Sequence, residues 1–78
     1  MAEVEAYILI QTAVNAANVA GDIRTVEGIT TAEDVSGPYD VIARAVAPDM
    51  DGLGRLVVAK IQAVEGITRT LTCPIVKL

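Results

Sequence analysis

The stretch Ser36-Gly37-Pro38-Tyr39-Asp40-Val41-Ile42-Ala43-Arg44-Ala45 lies at the centre of the 78-residue chain and organises its fold prediction. The Gly-Pro pair favours a tight turn, because glycine tolerates unusual backbone angles and proline pre-sets φ at a turn position. Residues with a high β propensity stand on both sides of this pair. Residues 29–47 therefore predict a β-hairpin with its tip at the Gly-Pro pair.

Four strands are predicted, because four runs of β-branched and large apolar residues are bounded by turn residues. They cover residues 4–11, 29–35, 39–46 and 67–73. Charged residues near the end of the second strand predict that it is an exposed edge of the sheet. In the fourth strand, alternation puts Ile67, Arg69, Leu71 and Cys73 on one face and Thr68, Thr70 and Thr72 on the other.

Two helices are predicted between these strands, because apolar residues recur at helical spacing. The first covers residues 15–27, with Asn15 as its N-cap and Gly28 as its stop. The second begins after an Asp49 cap and runs to about Val64. Its predicted apolar stripe consists of Met50, Leu53, Val57, Ile61 and Val64.

An internal repeat relates the two halves of the chain. Val26-Glu27-Gly28-Ile29-Thr30 recurs as Val64-Glu65-Gly66-Ile67-Thr68, each time between a predicted helix and a strand. The resulting order is β-α-β-β-α-β, and two such halves build a ferredoxin-like α+β fold. We expect residues 1–78 to form one domain: a four-stranded antiparallel sheet with two helices on one face.

The composition predicts self-assembly. Apolar residues make up 53% of the chain, which is more than a small lone domain hides. The sheet face without helices would expose Tyr7, Leu9, Ile42 and Val46. We therefore expect a second copy to cover this face, giving a dimeric α/β sandwich.

Charge and residue usage argue against several function classes. The net charge is −4 and the six Lys and Arg residues are scattered, which disfavours direct nucleic-acid binding. The chain has no His, Trp or Phe, so a His-based catalytic or metal centre is excluded. No apolar run approaches the roughly 20 residues of a membrane span. The acidic N-terminus does not resemble a signal peptide, which predicts a cytoplasmic protein.

Three motifs resemble the ligand-binding (RAM) domain of the Lrp/AsnC family of amino-acid-responsive transcription regulators, particularly its stand-alone versions. Gly37-Pro38-Tyr39-Asp40 matches the Gly-x-x-Asp turn of that family, and the two Val-Glu-Gly-Ile pieces precede strands two and four. The Thr-rich Arg69-Thr70-Leu71-Thr72 is the third motif.

The resemblance implies a dimer through sheet faces and a ring of dimers, such as an octamer or decamer. It also implies amino-acid effectors bound between dimers near the Gly-x-x-Asp turn. Full-length members carry an N-terminal DNA-binding domain, but here strand one already starts by Val4. We therefore expect no DNA-binding domain, and a chain that senses a ligand or joins a full-length Lrp/AsnC regulator and alters its assembly.

Five residues form the predicted ligand-binding site. Asp40 would accept the ammonium group of an amino acid, and Thr70 and Thr72 would donate to its carboxylate. Gly37 would let the backbone approach the ligand closely, and the Tyr39 side chain would form one wall of the pocket. Structural interpretations stay open: an Asx turn at Asp40, an ordinary half-buried strand face for the threonines, and a core or interface role for the tyrosine.

Two further side chains raise structural questions. Arg44 lies on a predicted central strand and needs a partner, either Glu5 or a carboxylate of a dimer mate. Cys73, the single cysteine, is predicted to be a small buried hydrophobe.

The function predicted from these observations is amino-acid binding by a self-assembling regulatory domain. A purely structural oligomer without a ligand is the alternative. A small dimeric α+β-barrel enzyme is a less favoured one, because the chain lacks the usual catalytic side chains. No cofactor and no metal are predicted.

Overall fold

The computed structural model describes residues 3–14 and 18–76, and its elements follow the predicted order. They are β1 (Val4–Thr12), α1 (Val19–Arg24), β2 (Ile29–Asp34), β3 (Val41–Ala47), α2 (Met50–Arg55), a π-helical segment (Leu56–Ile61) and β4 (Ile67–Pro74). The strands form an antiparallel sheet in the order β2-β3-β1-β4. This arrangement confirms the ferredoxin-like α+β fold, and it leaves β2 at an edge as predicted.

The core lies between the helices and one face of the sheet. Alternate residues of β1 and β3 point into it, because side chains change face at every position along a strand. Many of them are alanines, which let the helices approach the sheet closely. The buried strand residues are Ala6, Ile8, Ile10, Ala32, Val41, Ala43, Ala45 and Ala47, and the helical ones are Val19, Ala20, Ile23, Leu53, Val57 and Ile61.

The first helix is shorter than predicted. Asn15, the predicted N-cap, lies outside the described residues, and Asn18 occupies the N-cap position of α1 with a φ of 61°. The α-helix ends at Arg24 rather than at residue 27. The next residues form a turn in which the Ile29 N–H donates to the Val26 carbonyl oxygen at 3.1 Å.

The second helix begins as predicted but changes its hydrogen bonding halfway. The Gly52 N–H donates to Asp49 Oδ1 at 2.6 Å, which confirms Asp49 as the cap. From residue 56 to 61 the helix is π-helical, and the Gln62 N–H donates to the Val57 carbonyl oxygen at 2.9 Å. Met50 was wrongly assigned to the apolar stripe, since it is 56% exposed at the first turn. In the described part of the chain, no helix is both long and apolar enough to cross a membrane.

The internal repeat has the same geometry in both halves. Gly28 and Gly66 adopt φ values of 98° and 99°, which glycine reaches without a steric cost. Each carbonyl oxygen accepts a 2.8 Å bond from an adjacent element, from the Val46 N–H and from the Ala13 N–H respectively. The repeated Val-Glu-Gly-Ile pieces therefore encode the same helix-to-strand turn.

The sheet face opposite the helices is called the open face below. Its large apolar members include the four predicted residues Tyr7, Leu9, Ile42 and Val46, and the structure adds Leu71, which pairs with Leu9. Tyr7 is 43% and Leu71 is 47% exposed, and the other three side chains are half-buried. The described residues thus contain no cover for this face, as the sequence predicted.

Arg44 finds its partner on the neighbouring strand of the open face. Its guanidinium forms an ion pair with Glu5 and lies 5.8 Å from the centroid of the Tyr7 ring. The hydrogen bond and the negative charge of Glu5 raise the pKa of Arg44 above its ordinary value. Of the two partners that the sequence left open, the structure shows Glu5.

Two predictions for β4 are wrong. Cys73 is exposed rather than buried, because it pairs with Tyr7 on the open face. Ile67 does not share a face with Arg69, because a register shift between Gln11 and Thr12 interrupts the β1–β4 pairing. Ile67 packs against the core instead.

Candidate functional site

The predicted site begins at the turn between β2 and β3, which is anchored to β1 as well as to its own hairpin. The Val35 N–H donates to the Asp40 carbonyl oxygen at 2.9 Å, and the Asp40 N–H donates to the Ile10 carbonyl oxygen at 2.9 Å. Gln11 adds a side-chain bond from Nε2 to the Pro38 carbonyl oxygen at 3.0 Å. Hydrogen bonds to β1 and within the hairpin therefore fix the position of the turn at one end of the sheet.

Gly37 is required at this turn by its backbone angle. Its φ of 151° is one that side chains rarely allow, and the space beside its Cα is open. The exposed backbone here can approach a ligand without interference. Tyr39 stands half-buried two residues later, beside the exposed Asp40.

The Asp40 carboxylate does not close a local Asx turn. Its Oδ2 accepts a 2.9 Å bond from the backbone N–H of Thr12, at the end of β1. The carboxylate therefore joins the ends of two strands that are far apart in the chain. In the described part of the chain, Oδ1 has no hydrogen-bond partner, and Asp40 as a whole is an exposed residue.

The two threonines lie on β4, on the helix-facing side of the sheet. Thr70 pairs with Ile10 and Thr72 pairs with Ile8, and both threonines are half-buried. Thr70 Oγ1 accepts a 3.0 Å hydrogen bond from Nε2 of Gln62.

Two polar residues near this group were missed by the sequence reasoning. Gln62 is one, because the π-helical segment before it changes which helical positions face β4. No spacing rule based on an α-helix could have found it. Arg69 is the other: it pairs with Gln11 on the open face, at the same end of the sheet as the turn.

Within one chain, β1 separates the turn from the threonines. Ile10 accepts the Asp40 N–H and also pairs with Thr70 on its other side. The backbones of Asp40 and Thr70 are therefore two strand spacings apart, or about 10 Å. The structure brings Gly37, Tyr39 and Asp40 together, and Thr70 and Thr72 together, as two sets rather than as one pocket.

The two sets carry complementary chemistry. The turn offers a carboxylate oxygen for a cationic group, and β4 offers hydroxyl and amide groups that donate to an anion. A zwitterion needs both kinds of partner.

Solved structures with the same fold include two of similar length. The structure of FFRP-DM1 is 26% identical, with a TM-score of 0.86, and the match covers 94% of this chain and 99% of that chain. TTHA0845 from Thermus thermophilus is 27% identical, with a TM-score of 0.85, and the match covers 96% of this chain and 95% of that chain. The similarity therefore extends over nearly the whole of both proteins.

A third similar structure is a transcriptional regulator from Neisseria meningitidis in complex with L-methionine. It is 17% identical with a TM-score of 0.82, which shows the fold alone, and the match covers 95% of this chain but 50% of that chain. No curated protein sequence matches this chain. The model of the Lrp/AsnC ligand binding domain matches residues 5–77. The chain therefore belongs to the family of Lrp/AsnC ligand binding domains, which are regulatory domains of transcription regulators.

Proposed function

We propose that this chain is a regulatory module that binds a small amino acid, assembles with copies of itself and catalyses no reaction. The observation that carries this proposal is the exposed Asp40 carboxylate, in which one oxygen accepts from the Thr12 N–H and the other has no hydrogen-bond partner among the described residues. It stands in the Gly37–Asp40 turn of an Lrp/AsnC ligand binding domain. The L-methionine complex of the Neisseria regulator supports an amino acid as the ligand.

The ligand chemistry assigns one role to each set of residues. The ammonium group binds Asp40 Oδ1, with Tyr39 beside it and the backbone at Gly37 close by. The carboxylate accepts hydrogen bonds from Thr70 and Thr72.

The separation of the two sets couples binding to assembly. Within one chain, the backbone of β1 fills the roughly 10 Å between the two sets, so they do not face a common space. The ligand therefore contacts the turn of one subunit and β4 of another. This arrangement places the effector between dimers in a ring, such as an octamer or decamer, and links ring formation to occupancy.

A second copy on the open face forms the basic dimer. This face presents large apolar side chains around the Arg44–Glu5 pair, and no described residue of the same chain covers them. Two such faces pack as an α/β sandwich with the helices outside. We propose that the same face lets the domain join a full-length Lrp/AsnC regulator in the cytoplasm and change its assembly.

The test is calorimetric titration of the twenty amino acids against the wild-type chain and the Asp40→Asn variant. Asparagine keeps an oxygen for the Thr12 N–H but removes the charge that binds ammonium. We expect binding to weaken about tenfold or more, because a hydrogen bond to a charged group contributes roughly 1.5–3 kcal/mol. Asp34→Asn, on the same hairpin and also exposed, is the matched control and leaves the affinity unchanged.

Two outcomes contradict the proposal. If no amino acid binds at millimolar concentration, the chain is not an amino-acid sensor, and a purely structural oligomer becomes the better interpretation. If an amino acid binds equally well to Asp40→Asn, the site lies elsewhere. Light scattering on the same samples measures whether occupancy changes the mass of the assembly.

A further inference from the structure

A groove opens on the helix side of the molecule, far from the Gly37–Asp40 turn. It has a volume of about 1050 Å³ and lies between the turn after α1, the end of β3 and the second helical element. Asp40 precedes the first residue of β3, whereas the groove reaches Ala47, the last. The length of β3 puts the two places about 20 Å apart.

Apolar side chains line most of this groove. They come from both walls and include Val26, Ile29, Leu56, Ala59 and Ala63. Ala59 and Ala63 are exposed to the groove and to solvent. Such a lining, with a few charged groups at its border, is typical of small-molecule sites.

The two walls of the groove carry charged side chains of opposite sign. Arg55 and Lys60 line the helical wall, and Glu27 lines the opposite wall. Among the described residues, neither cation takes part in an ion pair. The groove thus carries one excess positive charge, although the chain as a whole has a net charge of −4.

The π-helical segment explains why both cations reach the same groove. In an α-helix, residues five apart point about 140° away from each other, because each residue advances the helix by about 100°. The wider π turn, with its i→i+5 bonds, brings such residues towards one side. Arg55 immediately precedes the π segment and Lys60 lies within it. π turns are rare and are often found at functional sites.

The opposite wall of the groove packs closely against the sheet. The Gly28 carbonyl oxygen accepts a 2.8 Å hydrogen bond from the Val46 N–H, and a Cβ added at Gly28 would come within 3.2 Å of the Val46 oxygen. The turn after α1 therefore packs directly on the end of β3. This contact forms one wall of the groove.

We propose that this groove is a second small-molecule site, which binds a monoanionic carboxylate with an apolar chain. The chain packs against the apolar walls, and the carboxylate accepts hydrogen bonds from the Arg55 guanidinium and the Lys60 ammonium. Glu27 on the facing wall disfavours a second negative charge. The site needs no ammonium group on its ligand, which distinguishes it from the proposed amino-acid site.

Four probes with the same six-carbon chain test this assignment: hexanoate, hexylamine, hexan-1-ol and L-norleucine. Each is titrated into the ¹⁵N-labelled chain at fixed ionic strength, and the backbone amide shifts are followed by NMR. We expect hexanoate to bind at millimolar concentration and to shift amides of residues 25–30 and 52–63. The amine and the alcohol bind about fivefold more weakly or worse, since each cation contributes up to about 1 kcal/mol at an exposed site.

L-Norleucine keeps this test separate from the proposed function. Shifts around residues 36–40 report the amino-acid site, whatever hexanoate does in the groove. Hexanoate shifts in the groove without any norleucine shifts at the turn would support the second site, and the titration of the twenty amino acids would then decide the first. The reverse result would overturn the second site alone.

Two kinds of variant test the contacts. Arg55→Gln and Lys60→Gln should each weaken hexanoate binding about fivefold, whereas Arg24→Gln makes the same charge change at a residue that does not line the groove and should have no effect. Ala59→Phe should abolish binding by filling the groove, and Val58→Phe is its control, because Val58 is 66% exposed and does not line the groove.

The proposal is overturned if hexanoate and hexylamine bind alike, if the hexanoate shifts fall outside the groove, or if Ala59→Phe binds as well as the wild type. A folded spectrum for each variant is the condition for this comparison. Because Ala59 and Val58 are both exposed, neither change disturbs the core.

Discussion

The two faces of the sheet are built from the same strands, but they differ in the exposure and in the size of their side chains. On the helix side, the central residues of β1 and β3, such as Ile8 and Ala43, are fully buried. On the open face, the neighbouring Leu9 and Ile42 keep contact with solvent, and Tyr7 is 43% exposed. One face is completed by the chain itself, and the other is available to a partner.

The side-chain sizes show what each face is suited to meet. Small alanines dominate the helix side, where the helices must come close. Larger branched and aromatic side chains project from the open face, which suits a second sheet packed about 10 Å away. In this protein, the strands carry mostly small residues on the face that its own helices cover and larger apolar residues on the face that they leave open.

The largest expected effect is the loss of a core side chain. Ile8→Ala should lower the free energy of unfolding by roughly 2–5 kcal/mol, because Ile8 is fully buried and the change leaves a cavity. Leu9→Ala, one residue later on the open face, should cost clearly less in dilute solution. Urea titration at low protein concentration measures both. If the two variants lose the same free energy of unfolding, the two faces of the sheet do not differ in burial as described.

A charge on the open face should break association rather than folding. Leu9→Lys would place an unpaired ammonium between two sheets, and we expect association to weaken by about 3 kcal/mol or more. Val58→Lys, on the exposed helix surface, is the control. Sedimentation should show a folded smaller species for the first variant and the wild-type mass for the second. An unchanged mass for Leu9→Lys would place the interface elsewhere.

Cys73 offers a direct probe of the open face. In the single chain it is exposed beside Tyr7, so a thiol reagent should reach it quickly. If a second copy covers this face, the reaction should be slow in concentrated solution and should accelerate on dilution, following the population of free subunits. A rate that is fast at all concentrations would contradict the sheet-to-sheet dimer.

The smallest effect concerns the Arg44–Glu5 pair. The raised pKa of Arg44 stabilises the folded chain at every pH below the ordinary value of the guanidinium, and this contribution is lost only in strongly alkaline solution. Titration of Arg44 should therefore cause no change in stability between about pH 6 and 9.

A double-mutant cycle with Arg44→Gln and Glu5→Gln measures the coupling within this pair. It should be small and should decrease with salt in dilute solution, because Arg44 is 40% exposed. At high protein concentration the coupling should become less sensitive to salt, because a second copy would exclude water from the pair. Identical salt dependence at both concentrations would argue against its burial in the assembly.

Much of the fold was predictable from local patterns. Alternation places Leu9 on one side of the sheet and Ile8 on the other whatever the rest of the chain does, because the strand period is two. The Asp49 cap was likewise predictable from residue type and position, and the structure confirms it.

Two of the errors arose where a hydrogen-bond register shifts. Ile67 changes face because the β1–β4 pairing slips by one residue, and Gln62 meets Thr70 after a π-helical segment. Neither event has a local signal, since each depends on how an element fits against its neighbours. The exposure of Cys73 was missed for a related reason, because residue type alone cannot report which face a chain leaves uncovered.

The sequence by itself determined the order of elements, the two repeated helix-to-strand turns and the residue types on each face, since these depend on short-range backbone preferences. It also identified the Asp40 turn as a candidate site. Only the tertiary structure decided that β1 separates Asp40 from Thr70, and that Arg55 and Lys60 share one groove. Those relations depend on strand pairing and on a change of helical pitch, which emerge when distant segments pack together.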